Sequence, residues 1–129
     1  MRYTHPMKSV VISFEAIDEN TAGISSIPGV IACRLGGANG CKTHASYEDV
    51  KNGRFGFRMS AKIDYDERIS SIKTLTKHFL AMASEAPLHL YYLDLLDGIG
   101  AKAAAEEIGQ SERLKVAKCC FFVPLQSRA

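Results

Sequence analysis

No stretch of this chain approaches the roughly 20 consecutive apolar residues that a helix needs to cross a bilayer. The N-terminal part also lacks the apolar core of an export signal, since Val10-Val11-Ile12 is followed at once by Ser13 and Glu15. Neither sign of charge is in excess. Sixteen Lys and Arg against fourteen Asp and Glu leave +2, too little to announce nucleic acid or an anionic membrane without a local concentration of basic side chains. Pro, Gly and Ser are not abundant enough for disorder, and there is no internal repeat, low-complexity tract or linker-like stretch. These absences predict a single cytoplasmic domain over residues 1–129, with no membrane and no nucleic-acid partner. The four cysteines are then expected as reduced thiols.

What is present is an ordinary globular composition, with 47% hydrophobic and 23% charged residues over 129 positions, enough for one core. Val10, Ile12 and Phe14 alternate with Val11 and Ser13 as a first strand, and Pro28-Gly29 opens a second over Val30 to Leu35. The clearest period of two runs from Arg54 to Tyr65. It places Phe55, Phe57, Met59, Ala61, Ile63 and Tyr65 on a packed face and Arg54, Arg58 and Lys62 on a solvated one, as in an antiparallel sheet. Asn52-Gly53 reads as a hairpin turn before it, with Ala45 to Lys51 either the paired strand or a short helix capped by Ser46.

Helical spacing follows from Asp66 to Ser84, with Ile69, Ile72, Leu75, Phe79 and Leu80 in one arc. Leu88 to Leu96 reads as a buried strand, with a helical turn at Leu93 to Gly98 as the rival, and Asp97-Gly98 breaks the pattern. A helix over Ala101 to Ile108 stops at Gly109, and Arg113 to Val123 forms a last strand before Pro124. The sum is an α+β two-layer sandwich, a mainly antiparallel sheet of about five strands covered by two helices. The Cys119 to Val123 run is apolar on both faces, which predicts a surface covered by a second copy in a homodimer.

Chemically capable residues crowd into one loop, Gly36-Gly37-Ala38-Asn39-Gly40-Cys41-Lys42-Thr43-His44. A glycine-rich turn after a strand can present backbone N–H groups to an anion, with Lys42 adding charge. Compared with the phosphate-binding pattern G-x-x-x-x-G-K-[ST], the loop matches at Gly36, Lys42 and Thr43, but Cys41 stands where the second glycine is required. Zinc is a second reading, with Cys33, Cys41, His44 and one of Cys119 or Cys120 as ligands. A third makes Cys41 a nucleophilic thiolate with His44 as its base. A plain solvated turn is the fourth.

The leading expectation is a small domain binding a phosphate-containing anion through Gly36, Gly37, Asn39, Gly40, Lys42 and Thr43, with Arg58 adding charge from the strand. The alternatives are a non-catalytic homo-oligomeric assembly module and a cysteine-dependent enzyme using Cys41 and His44. No cofactor is expected from these patterns, and the residues specify no reaction.

Overall fold

The computed structural model describes residues 7–41, 43–119 and 121–125, so Lys42 and Cys120 lie outside the described residues. Among the described residues, six strands form one sheet: β1 (Met7–Ser13), β2 (Val30–Ala38), β3 (Arg58–Asp66), β4 (Leu88–Tyr92), β5 (Leu114–Lys118) and β6 (Phe122–Pro124). Four helices accompany it: α1 (Thr21–Ser25), α2 (Tyr47–Lys51), α3 (Ile72–Met82) and α4 (Leu95–Glu107). The strand order is β5-β4-β1-β3-β2-β6, and every neighbouring pair is antiparallel except β4 with β5. The parallel pair follows from its connection, because α4 carries the chain back before β5 begins.

β1 is central because both of its faces are apolar: Val10 and Ile12 point into the main core and Val11 to the other face, all three fully buried. α3 and α4 cover the main-core face, where Leu75, Phe79, Leu80, Ala101 and Ala105 meet Ile63, Tyr65, Leu88 and Leu90. Two glycines let α4 sit close. A Cβ at Gly98 would stand 2.8 Å from the Tyr92 ring, and one at Gly100 would stand 2.6 Å from Ile72 Cγ2. The expected break at Asp97-Gly98 therefore does not occur; Asp94 caps the helix by accepting from Leu96 N at 3.0 Å, and α4 runs on to Glu107.

The long strand begins at Arg58 and not at Arg54. Arg54–Gly56 is a tight turn in which Phe55 takes φ 58° and points to solvent. Between Asn52-Gly53 and this turn no hairpin forms; the short-helix reading holds, with Ser46 Oγ accepting from Asp49 N at 3.1 Å ahead of α2. The predicted helix from Asp66 is shortened by β3, which pairs as far as Asp66, and Ser71 caps α3 instead.

The expected last strand splits. β5 pairs with β4 at one edge, and β6 pairs with β2 at the other, so the chain between them crosses the second face of the sheet. Cys119 N–H donates to Tyr92 O at 2.8 Å on one side; on the other, Asn39 N–H donates to Phe121 O at 2.7 Å and Asn39 Oδ1 accepts from Phe121 N at 3.1 Å. Beneath this strap Val11, Ala38 and Tyr91 pack with Cys119 and Phe122. The apolar run is thus used within the chain, and its composition gives no reason for a second copy.

Candidate active site

A cavity of about 600 Å³ opens where β1 ends and where β3 and β4 begin. One wall is the chain leaving β1, Ser13 to Asp18. The facing wall is the end of α2 with the turn into β3, Val50, Lys51, Gly53 and Gly56 to Met59, and Ala86, Pro87 and His89 close it at the start of β4. Strand alternation decides what faces it: Ser13 pairs with His89 in register, so both project to the second face. Ala16 turns the chain out of β1 at φ 63°, a left-handed conformation that a non-glycine residue seldom takes.

Its polar groups are mostly held. Ser13 Oγ donates to Met59 O at 2.6 Å. Asp18 accepts from Tyr47 OH at 2.6 Å and from Lys51 Nζ at 3.2 Å, and the Tyr47 bond first, then Lys51, keeps its carboxyl below the usual aspartate value. His89 stacks on Tyr91, ring centroids 6.3 Å apart. Burial, and then the charges of Arg58 and Lys115, hold the His89 imidazole below its ordinary pKa. Arg58 is exposed at the rim and reaches Tyr91, whose phenol burial raises while Arg58 opposes the shift. The cavity therefore combines apolar surface from Phe14, Phe57, Met59 and Pro87 with the Arg58 guanidinium and a neutral imidazole.

The predicted loop is built for packing. Gly36 and Gly37 are buried β2 residues: a Cβ at Gly36 would run into Val123 O, and one at Gly37 would stand 2.6 Å from the Phe57 ring. Gly40 also lies against that ring. None of the three takes a positive φ, so they do not curl N–H groups around an anion; Asn39, at φ 56°, spends its side chain on Phe121. Cys41, Thr43 and His44 are exposed, and Cys41 N–H donates to Phe55 O at 2.9 Å. Lys42 lies outside the described residues.

The zinc candidates are dispersed, with Cys33 packed against the main core and Cys119 on the second face, and the described residues hold no group of three His, Cys, Asp or Glu placed for a metal. Of the predicted residues that are described, only Arg58 lines the cavity. Ser13, Glu15, Ala16, Asp18, Met59 and His89 share no sequence signature, because they come from three distant segments. The alternation of His89 with Tyr91 is the one local signal for the cavity in the sequence.

Residues 20–90 match the sequence profile described as peptide methionine sulfoxide reductase. The chain belongs to the peptide methionine sulfoxide reductase family. A relative of that description, MsrA of Clostridium botulinum strain Okra, is 33% identical over 86 residues, covering 64% of this chain and 53% of that protein. The chain thus spans about half the length of the curated relatives it matches. The fold is shared with Mxr1 of Saccharomyces cerevisiae in reduced form, at TM-score 0.74 and 15% identity over 94% of this chain and 81% of that one. It is shared too with Mxr1 in complex with Trx2, at TM-score 0.63 and 14% identity over 95% of this chain and 84% of that one. Family membership overturns the expectation of a phosphate-binding domain, and with it the assembly module, in favour of a fold associated with sulfoxide reduction. Of the expected functions, a cysteine-dependent enzyme comes nearest to this family. Among the described residues, no helix is long and apolar enough to cross a membrane.

Proposed function

We propose that this chain recognises oxidised methionine side chains of peptides in the cavity at the end of β1. The observation that carries the reading is that ten of the sixteen lining residues, Val50 to Met59, Ala86, Pro87 and His89 among them, fall inside the span that matches the family. A methionine sulfoxide side chain has apolar methylenes and a terminal methyl beside one strongly accepting oxygen. The cavity offers the complement: Phe14, Phe57, Met59 and Pro87 for the carbon and sulfur atoms, and Arg58 to donate to the oxygen. Lys51 is already committed to Asp18 and the Ser13 hydroxyl to Met59 O, whereas the exposed Arg58 guanidinium, which reaches Tyr91, has five N–H donors and so others to offer the oxygen. A volume of about 600 Å³ leaves room for backbone on either side of that side chain.

Calorimetric titration tests this with two blocked pentapeptides that differ only in one residue, methionine or its sulfoxide. Preference for the sulfoxide by roughly tenfold, the scale of one charge-assisted hydrogen bond, is expected, and Arg58→Met should erase the preference. Equal affinity for the two peptides would sink the reading.

A second reading has the chain reduce the sulfoxide, with Cys41 as the thiol and His44 as its base. It is favoured by the exposure of the free Cys41 thiol on a loop bonded to Phe55, next to the cavity residue Gly56. A reducing compartment, the cytoplasm, suits the free thiols of Cys33 and Cys41.

A further inference from the structure

We infer that the thiols among the described residues, Cys33, Cys41 and Cys119, do not reduce the side chain that this cavity binds, so that the site holds oxidised methionine without their repairing it. The inference rests on reading the cavity as the sulfoxide site, and it is the opposite of the second reading, from which the turnover assay below separates it.

Reduction of a sulfoxide to a thioether breaks the S–O bond, consumes two electrons and two protons and releases the oxygen as water. When thiols supply the electrons, two of them end as one disulfide. The first thiolate must bond to the sulfoxide sulfur or oxygen, so a cysteine has to open into the cavity. Among the described residues the lining presents one sulfur, the thioether of Met59. A thioether has no proton to give, and if it accepted the oxygen it would itself become the sulfoxide, a transfer with no net reduction.

The described thiols face elsewhere. Cys33 points from β2 into the main core, where burial raises its pKa and keeps it a thiol. Cys119 packs beneath the strap with Val11, Ala38 and Tyr91. Cys41 follows Gly40, which lies against the Phe57 ring, and is exposed to solvent. The wall from Ser13 to Asp18 stands before the family-matched span and offers a hydroxyl, two carboxylates and apolar groups. One wall of the cavity thus keeps the family's sequence while the wall facing it supplies no reductant.

The test combines binding and turnover on the full chain. The sulfoxide pentapeptide is titrated calorimetrically, then incubated with protein and dithiothreitol as sole reductant, and the thioether product is followed by mass spectrometry. The expected result is saturable one-to-one binding with thioether formation no faster than in a dithiothreitol blank. Turnover above the blank that is lost in Cys41→Ser or in Cys119→Ser would overturn the inference and leave the sulfoxide site standing. Failure to bind either pentapeptide would overturn both.

Discussion

Tyr65 on β3 donates its buried phenolic O–H to Asp97 Oδ2 on α4 at 2.9 Å, while Lys8 on β1 donates to the other carboxylate oxygen at 2.7 Å. One acid thus ties the first turn of α4 to two strands, and Lys8 also meets Asp94 at 2.9 Å. Removal of Asp97 leaves a buried hydroxyl without its acceptor and a largely buried ammonium with one partner fewer. Asp97→Ala is expected to cost about 2 to 3 kcal/mol, and Tyr65→Phe about 1 to 2 kcal/mol. The double variant should fall short of the sum, because the two groups share one interaction. Urea midpoints with unchanged slopes would report this; full additivity would mean that the hydrogen bond contributes nothing.

The same cluster sets an alkaline limit. Burial raises the Tyr65 pKa, and Asp97 raises it further. Burial works against the Lys8 charge, but Asp97 and Asp94 outweigh it, so Lys8 is raised as well. Both groups titrate higher folded than unfolded, so their contribution is complete below the unfolded values of 10.0 and 10.5 and is lost as pH climbs through the folded ones. Urea midpoints are expected to decline above about pH 10, and Tyr65→Phe with Lys8→Met should flatten that decline. An equally steep decline in the double variant would place the sensitivity elsewhere.

Gly98 and Gly100 govern how closely α4 lies on β4 and α3. Alanine in mid-helix ordinarily gains up to about 1 kcal/mol over glycine. Here the new methyl would press on the Tyr92 ring or on Ile72 Cγ2, and overpacking costs about 1 to 3 kcal/mol. Both Gly98→Ala and Gly100→Ala should therefore destabilise, whereas Gly→Ala in an uncrowded helix stabilises. A rise in melting temperature for either would show that the neighbours yield freely.

These close approaches explain which parts of the fold could be read from the sequence. The period of two across Met59, Ala61, Ile63 and Tyr65 and the helical arc of Leu75, Phe79 and Leu80 are local patterns, and both became packed faces. The continuation of α4 through Gly98 was not legible, because the glycines there answer to Tyr92 and Ile72, on other elements. The strap was hidden for a related reason: Lys118 and Phe122 lie four residues apart but end on opposite edges of the sheet. The Gly36 to His44 loop resembles a site in composition alone. Its glycines make room for Phe57, Phe122 and Val123, and the cavity is assembled from three segments with little local signature.

Arg113 ties the end of α3 to the chain that enters β4. Its Nη2 donates to Leu80 O and Ala86 O, each at 3.0 Å, its Nε to Ala86 O at 3.2 Å and its Nη1 to Gln110 Oε1 at 3.0 Å. The planar fork thus satisfies carbonyls at the end of α3 and just before β4, which a single ammonium cannot span. Arg113→Lys is expected to lose about 1 to 2 kcal/mol and to speed amide exchange at Leu88, whose N–H donates to Arg113 O. Unchanged exchange at Leu88 would show that the fork is dispensable.

His89 links the cavity to pH. Burial, followed by the positive charges of Arg58 and Lys115, depresses its folded pKa below 6.5. A depressed folded value means that the neutral ring stabilises the fold above the unfolded pKa and that this contribution is lost as pH falls through the folded one. An NMR titration of the His89 ring should give a midpoint under 6.5, moving upward in Arg58→Met and in Lys115→Met, and His89→Gln should flatten the fall in stability on the acid side. At neutral pH the ring then adds no charge beside Arg58, so on the proposed reading the guanidinium is the charge that the sulfoxide oxygen would meet. Acidification that protonates His89 should change peptide affinity in the wild type and leave His89→Gln unaffected. A midpoint at or above 6.5 would remove His89 from this account.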